Sequence, residues 1–228
     1  MSELKTSAII PALNEAPRIA GAVDRAWQAG ADEVIVVDGH SDDDTRTVAS
    51  GVDCRLVDSE RGRAVQQNQG ARAASGDVLL FLHADTWLAS GAADQIRGAL
   101  TDPRIEGGAF RQHIEAAGRI YRWLETGNAW RARRRGLPYG DQGIFLRRET
   151  FDELGGFPEV RLMEDLLLMR RLRRRCMPCL LPGPLYVSAR RWQRHGPLRQ
   201  TARNWLLLLA LSLGVHPNRL AAYYATHE

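Results

Sequence analysis

Gly76-Asp77-Val78-Leu79-Leu80-Phe81-Leu82-His83-Ala84-Asp85 is the stretch on which the fold turns. Its centre, Val78–Leu82, is an unbroken apolar run that opens after a glycine and an aspartate and closes on a histidine. A short run bounded in this way reads as a strand buried on both faces. Strands of that kind belong to parallel sheets with helices packed above and below.

Working outward, the same unit recurs. Ser7–Ile10, ended by Pro11, reads as a first strand. Pro17 suits the first turn of a helix, and Ile19, Ala20, Val23, Ala26 and Trp27 follow at helical spacing before Gly30. Val34–Val37 is a second strand, followed by the turn Asp38-Gly39-His40-Ser41. Asp42–Ser50 is a second helix, acidic at its start as the helix dipole favours. Arg55–Val57 is a third strand, Ala64–Ser75 a third helix and Gly91–Leu100 a fourth. The alternation predicts an α/β domain with a mostly parallel central sheet and helices on both faces. Ligands of such sheets bind at the carboxyl ends of the strands. Asn14 and Glu15, Asp38, and His83 and Asp85 therefore fall where one crevice would be.

Past residue 103 the rhythm changes. Gly107–Phe110 and Gly143–Leu146 read as strands on either side of an arginine-rich helix near Ile120–Arg134. Met163–Arg175 is a helix with Glu164 and Asp165 in its first turn, Val187–Trp192 begins a basic segment, and Ala202–Leu213 and Arg219–Ala225 are further helices. No repeat or linker interrupts the chain. The expectation is one domain over 1–228, with a ligand-binding half to about residue 103 and a second half that shapes the site from 104 onward.

The bulk composition fits that reading. The chain has 228 residues, 44% hydrophobic and 25% charged, which suits one large globular domain and argues against disorder. Net charge is +4, and Lys5 is the single lysine among 31 basic residues. Arginine grips phosphate oxygens in pairs, but a mild positive balance alone does not choose among an anionic substrate, nucleic acid and a membrane surface. Cys54, Cys176 and Cys179 make no disulfide framework, and Cys176-Met177-Pro178-Cys179 has no second ligand pair for zinc, so a reducing cytoplasm is expected. The apolar run near the start is too short for a signal-peptide core. The longest apolar stretch, Trp205–Val215, falls short of the ~20 residues that span a bilayer.

Several segments resemble one family in the right order. Ile9-Ile10-Pro11-Ala12-Leu13-Asn14-Glu15 resembles the opening strand of family-2 glycosyltransferases, which have the GT-A fold. Val36–Thr45 resembles their second strand with its acidic turn, and Gly76–Asp85 the strand leading into their Asp-x-Asp motif. Glu164-Asp165 matches their acidic catalytic pair, and Arg190-Arg191-Trp192 the end of their Gln-x-x-Arg-Trp motif, with Ser188 where that motif has Gln. The run Tyr139-Gly140-Asp141-Gln142-Gly143 is similar to that of a small bacterial subgroup. The resemblance implies transfer of a sugar from a nucleotide-diphosphate sugar to an acceptor hydroxyl, with inversion and a divalent metal. Read together with the residues' own chemistry and position, it makes Pro11, Asn14, Glu15, Asp38, Arg61, Arg63, His83, Asp141, Gln142, Arg190, Arg191 and Trp192 the candidate donor and substrate contacts.

The chemistry suits these positions. A carboxylate at a strand end can accept hydrogen bonds from a base N–H or a ribose hydroxyl, which fits Asp38, although an aspartate before glycine is also a common turn cap. A departing nucleoside diphosphate needs a cation, and Mn²⁺ or Mg²⁺ held by Asp85 would serve. His83 stands where the family has its first Asp; it suits Mn²⁺ better than Mg²⁺, or it hydrogen-bonds the ribose. Asp165 resembles the general base for the acceptor, with Glu164 beside it, though acidic residues in a first helical turn are favoured by the dipole alone. Arg61-Gly62-Arg63 precedes a helix whose N-terminus would help bind anions. Trp192 would stack on a sugar or pack in the core, and Arg131, Arg133, Arg134 and Arg135 read as a solvated face.

Two other readings stay open. A sugar nucleotidyltransferase would share the sheet, but it opens on a glycine-rich basic loop where this chain has Pro11–Glu15. A nucleotide-sugar-binding protein that has lost catalysis is compatible with His83. Nucleic acid is not an expected partner, because the strand ends are acidic and no binding motif is present. Arg194, Arg199 and Arg203 precede Trp205–Leu211, the composition of an interfacial anchor that would meet a lipid-linked acceptor at the inner face of a membrane. A run apolar nearly all round suits a core or dimer-interface helix better than a two-faced anchor.

Overall fold

The computed structural model describes residues 4–189, 192 and 196–225. Arg190, Arg191 and Arg194 lie outside the described residues. Four strands, β1 (Thr6–Ala12), β2 (Glu33–Asp38), β3 (Arg55–Asp58) and β4 (Val78–Phe81), alternate with α1 (Ile19–Gln28), α2 (Thr45–Ser50) and α3 (Arg63–Ala73). After β5 (Thr86–Leu88) and α4 (Ala92–Ala99) come β6 (Gly107–Glu115), α5 (Arg119–Arg135), a 3₁₀ turn at Gly140–Gln142, β7 (Ile144–Arg147) and α6 (Arg148–Glu153). The chain continues through α7 (Glu164–Arg175), β8 (Cys179–Ser188), α8 (Pro197–Ser212) and α9 (Pro217–Ala225).

All eight strands form one sheet in the order β3-β2-β1-β4-β7-β6-β8-β5. β3, β2, β1 and β4 run parallel, as the alternation predicted. β7 enters antiparallel between β4 and β6, and β8 pairs parallel with β6 and antiparallel with β5. The expected two halves therefore share a sheet: β4 and β7 pair along their full length, from Val78↔Arg147 to Phe81↔Ile144.

Strand side chains alternate between two cores, as the period of two demands. Ala8, Ile10, Val34, Val36, Val78 and Leu80 face one layer with α1 and α4. Ile9, Ile35, Val37, Leu79 and Phe81 face the other with α3, α6 and α7. The expectation of helices on both faces holds. α3 is polar for a buried helix because it braces backbone: Gln66 Nε2 donates to the carbonyls of Ala12 (2.7 Å) and Val37 (2.9 Å), tying the ends of β1 and β2 together. Asn68 likewise exchanges two bonds with the Phe157 backbone.

Three elements lay beyond the sequence reading. β5 is very short. α6 follows β7 without a break, so the chain there has no punctuation to read. β8 carries Pro182, Gly183 and Pro184 mid-strand, and proline ordinarily argues against a strand interior. The structure accommodates them in a register shift: Phe110 faces Leu181 while Gln112 faces Leu185. β6 is correspondingly longer than the expected Gly107–Phe110.

Near the end of the chain, Leu207 and Leu211 of α8 and Leu220 of α9 are buried against Leu166, beside Leu137, Tyr139, Leu162 and Met163. α8 is thus a wall behind the first turn of α7. Among the described residues no helix is long and apolar enough to cross a membrane.

Candidate active site

Two clusters form where β1, β2 and β4 end. The first follows β1 and β2. Asp38 is buried, and its carboxylate accepts from the Ser41 hydroxyl (2.5 Å) and the Ser41 amide (3.2 Å). Asn14, with φ of 56°, accepts at Oδ1 from the Asp42 amide (2.8 Å), and its own amide donates to Ser41 Oγ (3.0 Å). The Glu15 amide donates to Thr45 Oγ1 (2.7 Å), and its carboxylate pairs with Arg18 (2.6 Å). Arg61 pairs with Asp42 (2.6 Å) and donates to the His40 carbonyl (2.9 Å). Pro11 lies half-buried in β1 opposite Val37. Asp38 is thus a turn cap in this state. Its hydroxyl partner is the kind of group a ribose could replace.

The second cluster lies across β4, the 3₁₀ turn and α7. Its centre is Gly140. The Gly140 amide donates to Asp165 Oδ2 (2.5 Å), and the Leu166 amide to Asp165 Oδ1 (2.7 Å), so both carboxylate oxygens are held by backbone. A methyl on Gly140 would lie 3.0 Å from Asp165 Oδ2 and 3.1 Å from His83 Nε2. His83 and Asp165 thus flank a single glycine, although they lie far apart in sequence. Glu164 is buried and lies 3.5 Å from Arg63, which crosses from the start of α3. Burial pushes the Glu164 carboxyl up to about 6; the neighbouring Asp165 adds to the rise and Arg63 opposes it.

The glycine is held in place by residues whose roles the sequence did not disclose. Gln142 is fully buried. Its Oε1 accepts from Arg131 (3.0 Å) and the Tyr139 amide (3.0 Å), and its Nε2 donates to the Phe110 carbonyl (3.3 Å). Gln142 therefore pins the turn. Arg131 corrects an expectation. Rather than joining a solvated face, it lies over the Tyr139 ring at 3.4 Å and donates to Asn128 Oδ1 and the Leu137 carbonyl. Burial pulls the Arg131 guanidinium down from its ordinary range and pushes the Tyr139 phenol up. Arg133, Arg134 and Arg135 are exposed as expected. Nothing in the spacing of this run marks Arg131 as the inward member. Asp141 is half-buried in the turn, and its carbonyl accepts from Gln112 (3.1 Å). Trp192 packs against two apolar clusters, the core alternative for that residue.

Asp85 sits in a tight loop. The Thr86 hydroxyl accepts from the His83 amide and donates to the His83 carbonyl, each at 3.2 Å, leaving Asp85 half-buried between them. It does not cap α4, whose N-cap is Gly91. Among the described residues no group of three His, Cys, Asp or Glu is arranged to hold a metal. The donors at the end of β4, Asp85 and His83, do not make an all-protein cage.

Comparison with known proteins gives a consistent picture. The family profile described as Glycosyl transferase family 2 matches residues 7–155. That span includes the first cluster, His83, Asp85 and Gly140, and ends before Glu164. No curated protein sequence matches the chain. Among solved structures it is similar to the Pyrobaculum calidifontis mannosyltransferase PcManGT in complex with GDP-Man and Mn²⁺, at 22% identity and a TM-score of 0.62, covering 82% of this chain and 57% of that one. It is similar to S. aureus TarS 1-349 in complex with UDP, at 15% identity and 0.63, covering 81% and 60%. It is also similar to M. tuberculosis glucosyl-3-phosphoglycerate synthase, at 22% and 0.56, covering 81% and 71%. These likenesses bear out the GT-A fold. The chain spans less than two thirds of the length of the first two.

Proposed function

Because the chain belongs to glycosyl transferase family 2, we propose that it transfers a sugar from a nucleoside-diphosphate sugar to an acceptor hydroxyl, with inversion at the anomeric carbon. The observation that carries the reading is the meeting of His83 and Asp165 at Gly140. The donor-side strand end and the base candidate are brought to one point from distant parts of the chain.

In this mechanism Asp38, Asn14 and the turn around Ser41 receive the nucleoside, and Asp38 exchanges its Ser41 hydroxyl for a ribose or base donor. Asp85, with His83, would hold Mn²⁺ or Mg²⁺ on the diphosphate, where a divalent ion neutralises the charge that develops on the leaving group. Asp165 accepts the proton of the acceptor hydroxyl. The acceptor oxygen bonds to the anomeric carbon as the bond from that carbon to the diphosphate oxygen breaks, and the nucleoside diphosphate departs. The two backbone amides on Asp165 hold its carboxylate in place while each oxygen keeps a lone pair for the proton. Arg63 is the cation nearest the buried Glu164 and keeps part of its guanidinium in solvent, within reach of phosphate. The reading places the chain in the cytoplasm, which its three free cysteines suit.

Calorimetric titration of UDP and GDP with and without Mn²⁺ tests the donor assignment. The expected result is tighter binding with the ion, lost in Asp85→Ala while the melting curve stays unchanged. Equal Mn²⁺-dependent affinity in that variant would remove Asp85 from the metal.

A further inference from the structure

We propose that α8 docks this protein on an anionic lipid bilayer, so that the acceptor is met at a membrane surface. Two independent observations carry this. The first is geometric. Leu207 and Leu211 face inward against Leu166, yet Trp205, Leu206 and Leu209 on the same helix and Leu213 at its C-cap are exposed, at 59%, 66%, 55% and 76%. At 100° per residue these four fall in one stripe, opposite the buried pair. A soluble surface does not ordinarily present an aromatic and three leucines side by side without a partner.

The second observation is charge. From Leu166 to His227 the sequence holds eleven arginines and no Asp or Glu, whereas 26 of the 27 acidic residues lie at or before Asp165. The exposed stripe therefore belongs to a stretch of sequence rich in arginine and without carboxylates, although one of those arginines, Arg175 of α7, is paired with Glu106 and Glu153. Arg219 is exposed in the helix that follows. An apolar stripe with an aromatic residue in a cationic region is the composition of a helix that lies in the interface plane. The cytoplasmic leaflet, negatively charged, is the complementary surface. A nucleic acid would match the charge but not the leucines, and a second copy of the chain would match the leucines but bring its own arginines against these.

The position matters for the reaction. The inner side of α8 packs on Leu166, the residue after Asp165, and beside Tyr139, the residue before Gly140. The lipid-facing side is then one helix diameter, about 10–12 Å, from the wall of the site. A hydroxyl carried on a lipid would reach the base from that side. This last step rests on the transferase reading; the docking does not.

Cosedimentation of the full chain with phosphatidylcholine vesicles, with and without phosphatidylglycerol, tests the docking without donor or acceptor. The expected result is binding to the anionic vesicles that weakens with salt. It should fall on the order of tenfold or more in Leu206→Ser/Leu209→Ser/Leu213→Ser and by a smaller factor in Arg219→Glu. Circular dichroism melting and UDP affinity should stay those of the unaltered chain. Absence of vesicle binding at low salt would overturn the proposal. So would triple-serine variants that sediment as before, or a dimer in light scattering that those serines dissolve while vesicle binding is nil. Vesicle binding with no nucleotide-sugar binding would bring down the transferase reading and leave the docking standing.

Discussion

The turn that follows β1 and β2 and the turn that precedes β7 both hold buried polar residues, but they hold them by different means. After β2 the carboxylate of Asp38 is satisfied by the Ser41 hydroxyl and amide, the amides of Asn14 and Glu15 donate to the Ser41 and Thr45 hydroxyls, and Arg61 bonds to the Asp42 carboxylate and the His40 carbonyl. Before β7 the carboxylate of Asp165 is held by two backbone amides, and the backbone that supplies one of them is pinned by the fully buried Gln142 and by Arg131. Side-chain bonds to a hydroxyl can be exchanged for a ligand's hydroxyl at little cost. Backbone bonds cannot move without the fold. Under the proposed mechanism the first turn would change partners, and the second would stay fixed while a proton moves.

The comparison breaks most sharply at Asp165. Asp165→Asn keeps the shape and removes the proton acceptor. Transfer should fall roughly 10²–10⁴-fold while donor affinity, set by the other turn, is unchanged. Single-turnover transfer and UDP titration on the same preparation check both halves. Near-normal transfer would move the base to Glu164 or Asp141.

How legible this was in the sequence differs between the turns. The β1–β4 region could be read because each element ends on punctuation: Pro11, Gly30, Gly76 and the polar residues directly after each apolar run. The placement of Asp38, His83 and Asp85 at strand ends followed from that alone. The second turn depended on contacts between residues far apart in the chain. Gly140 touching Asp165 and His83, Arg131 turning inward onto Tyr139, and Gln142 reaching the Phe110 carbonyl have no periodic trace. β8 was hidden by prolines that the register shift absorbs. Asp165 itself needed the family resemblance, since the helix dipole alone explains an acid at that place.

Gly140→Ala tests whether the second turn is as fixed as its bonding implies. The added methyl would stand 3.0 Å from Asp165 Oδ2 and 3.1 Å from His83 Nε2, closer than such contacts normally allow. Because the turn is pinned on its other side, Asp165 or His83 must shift. The neighbour must give by a few tenths of an ångström, short of the ~1 Å misplacement that costs about 10²-fold, so kcat should fall by less than that with the fold retained. If instead the Kd for the donor rose and kcat held, His83 would be the residue that gives way, and the donor side would be the softer one.

The smallest effect separates two carboxyls of equal burial. Asp38 and Glu164 are each 2% exposed, but Asp38 accepts two bonds from Ser41, whereas Glu164 has Arg63 at 3.5 Å and Asp165 as its neighbour. Burial first, then that neighbour, pushes the Glu164 carboxyl from 4.5 up to about 6. The folded state therefore favours the neutral acid. Its contribution to stability is full below pH 4.5 and is lost as pH rises through about 6. By linkage the ionised form costs the folded protein about 2 kcal/mol at pH 8. Glu164→Gln is neutral at every pH and keeps the shape, and Arg63, half in solvent, tolerates the loss of its partner. Urea unfolding should then show the variant more stable than the unaltered chain by up to about 2 kcal/mol at pH 8, with the gap closing as pH falls toward 4.5. A gap that stayed constant with pH would mean that Glu164 titrates alike in the folded and unfolded protein and is ionised in the fold at neutral pH. Glu164 would then be a second fixed carboxylate beside Asp165, and Arg63 its counter-ion rather than a cation available to phosphate.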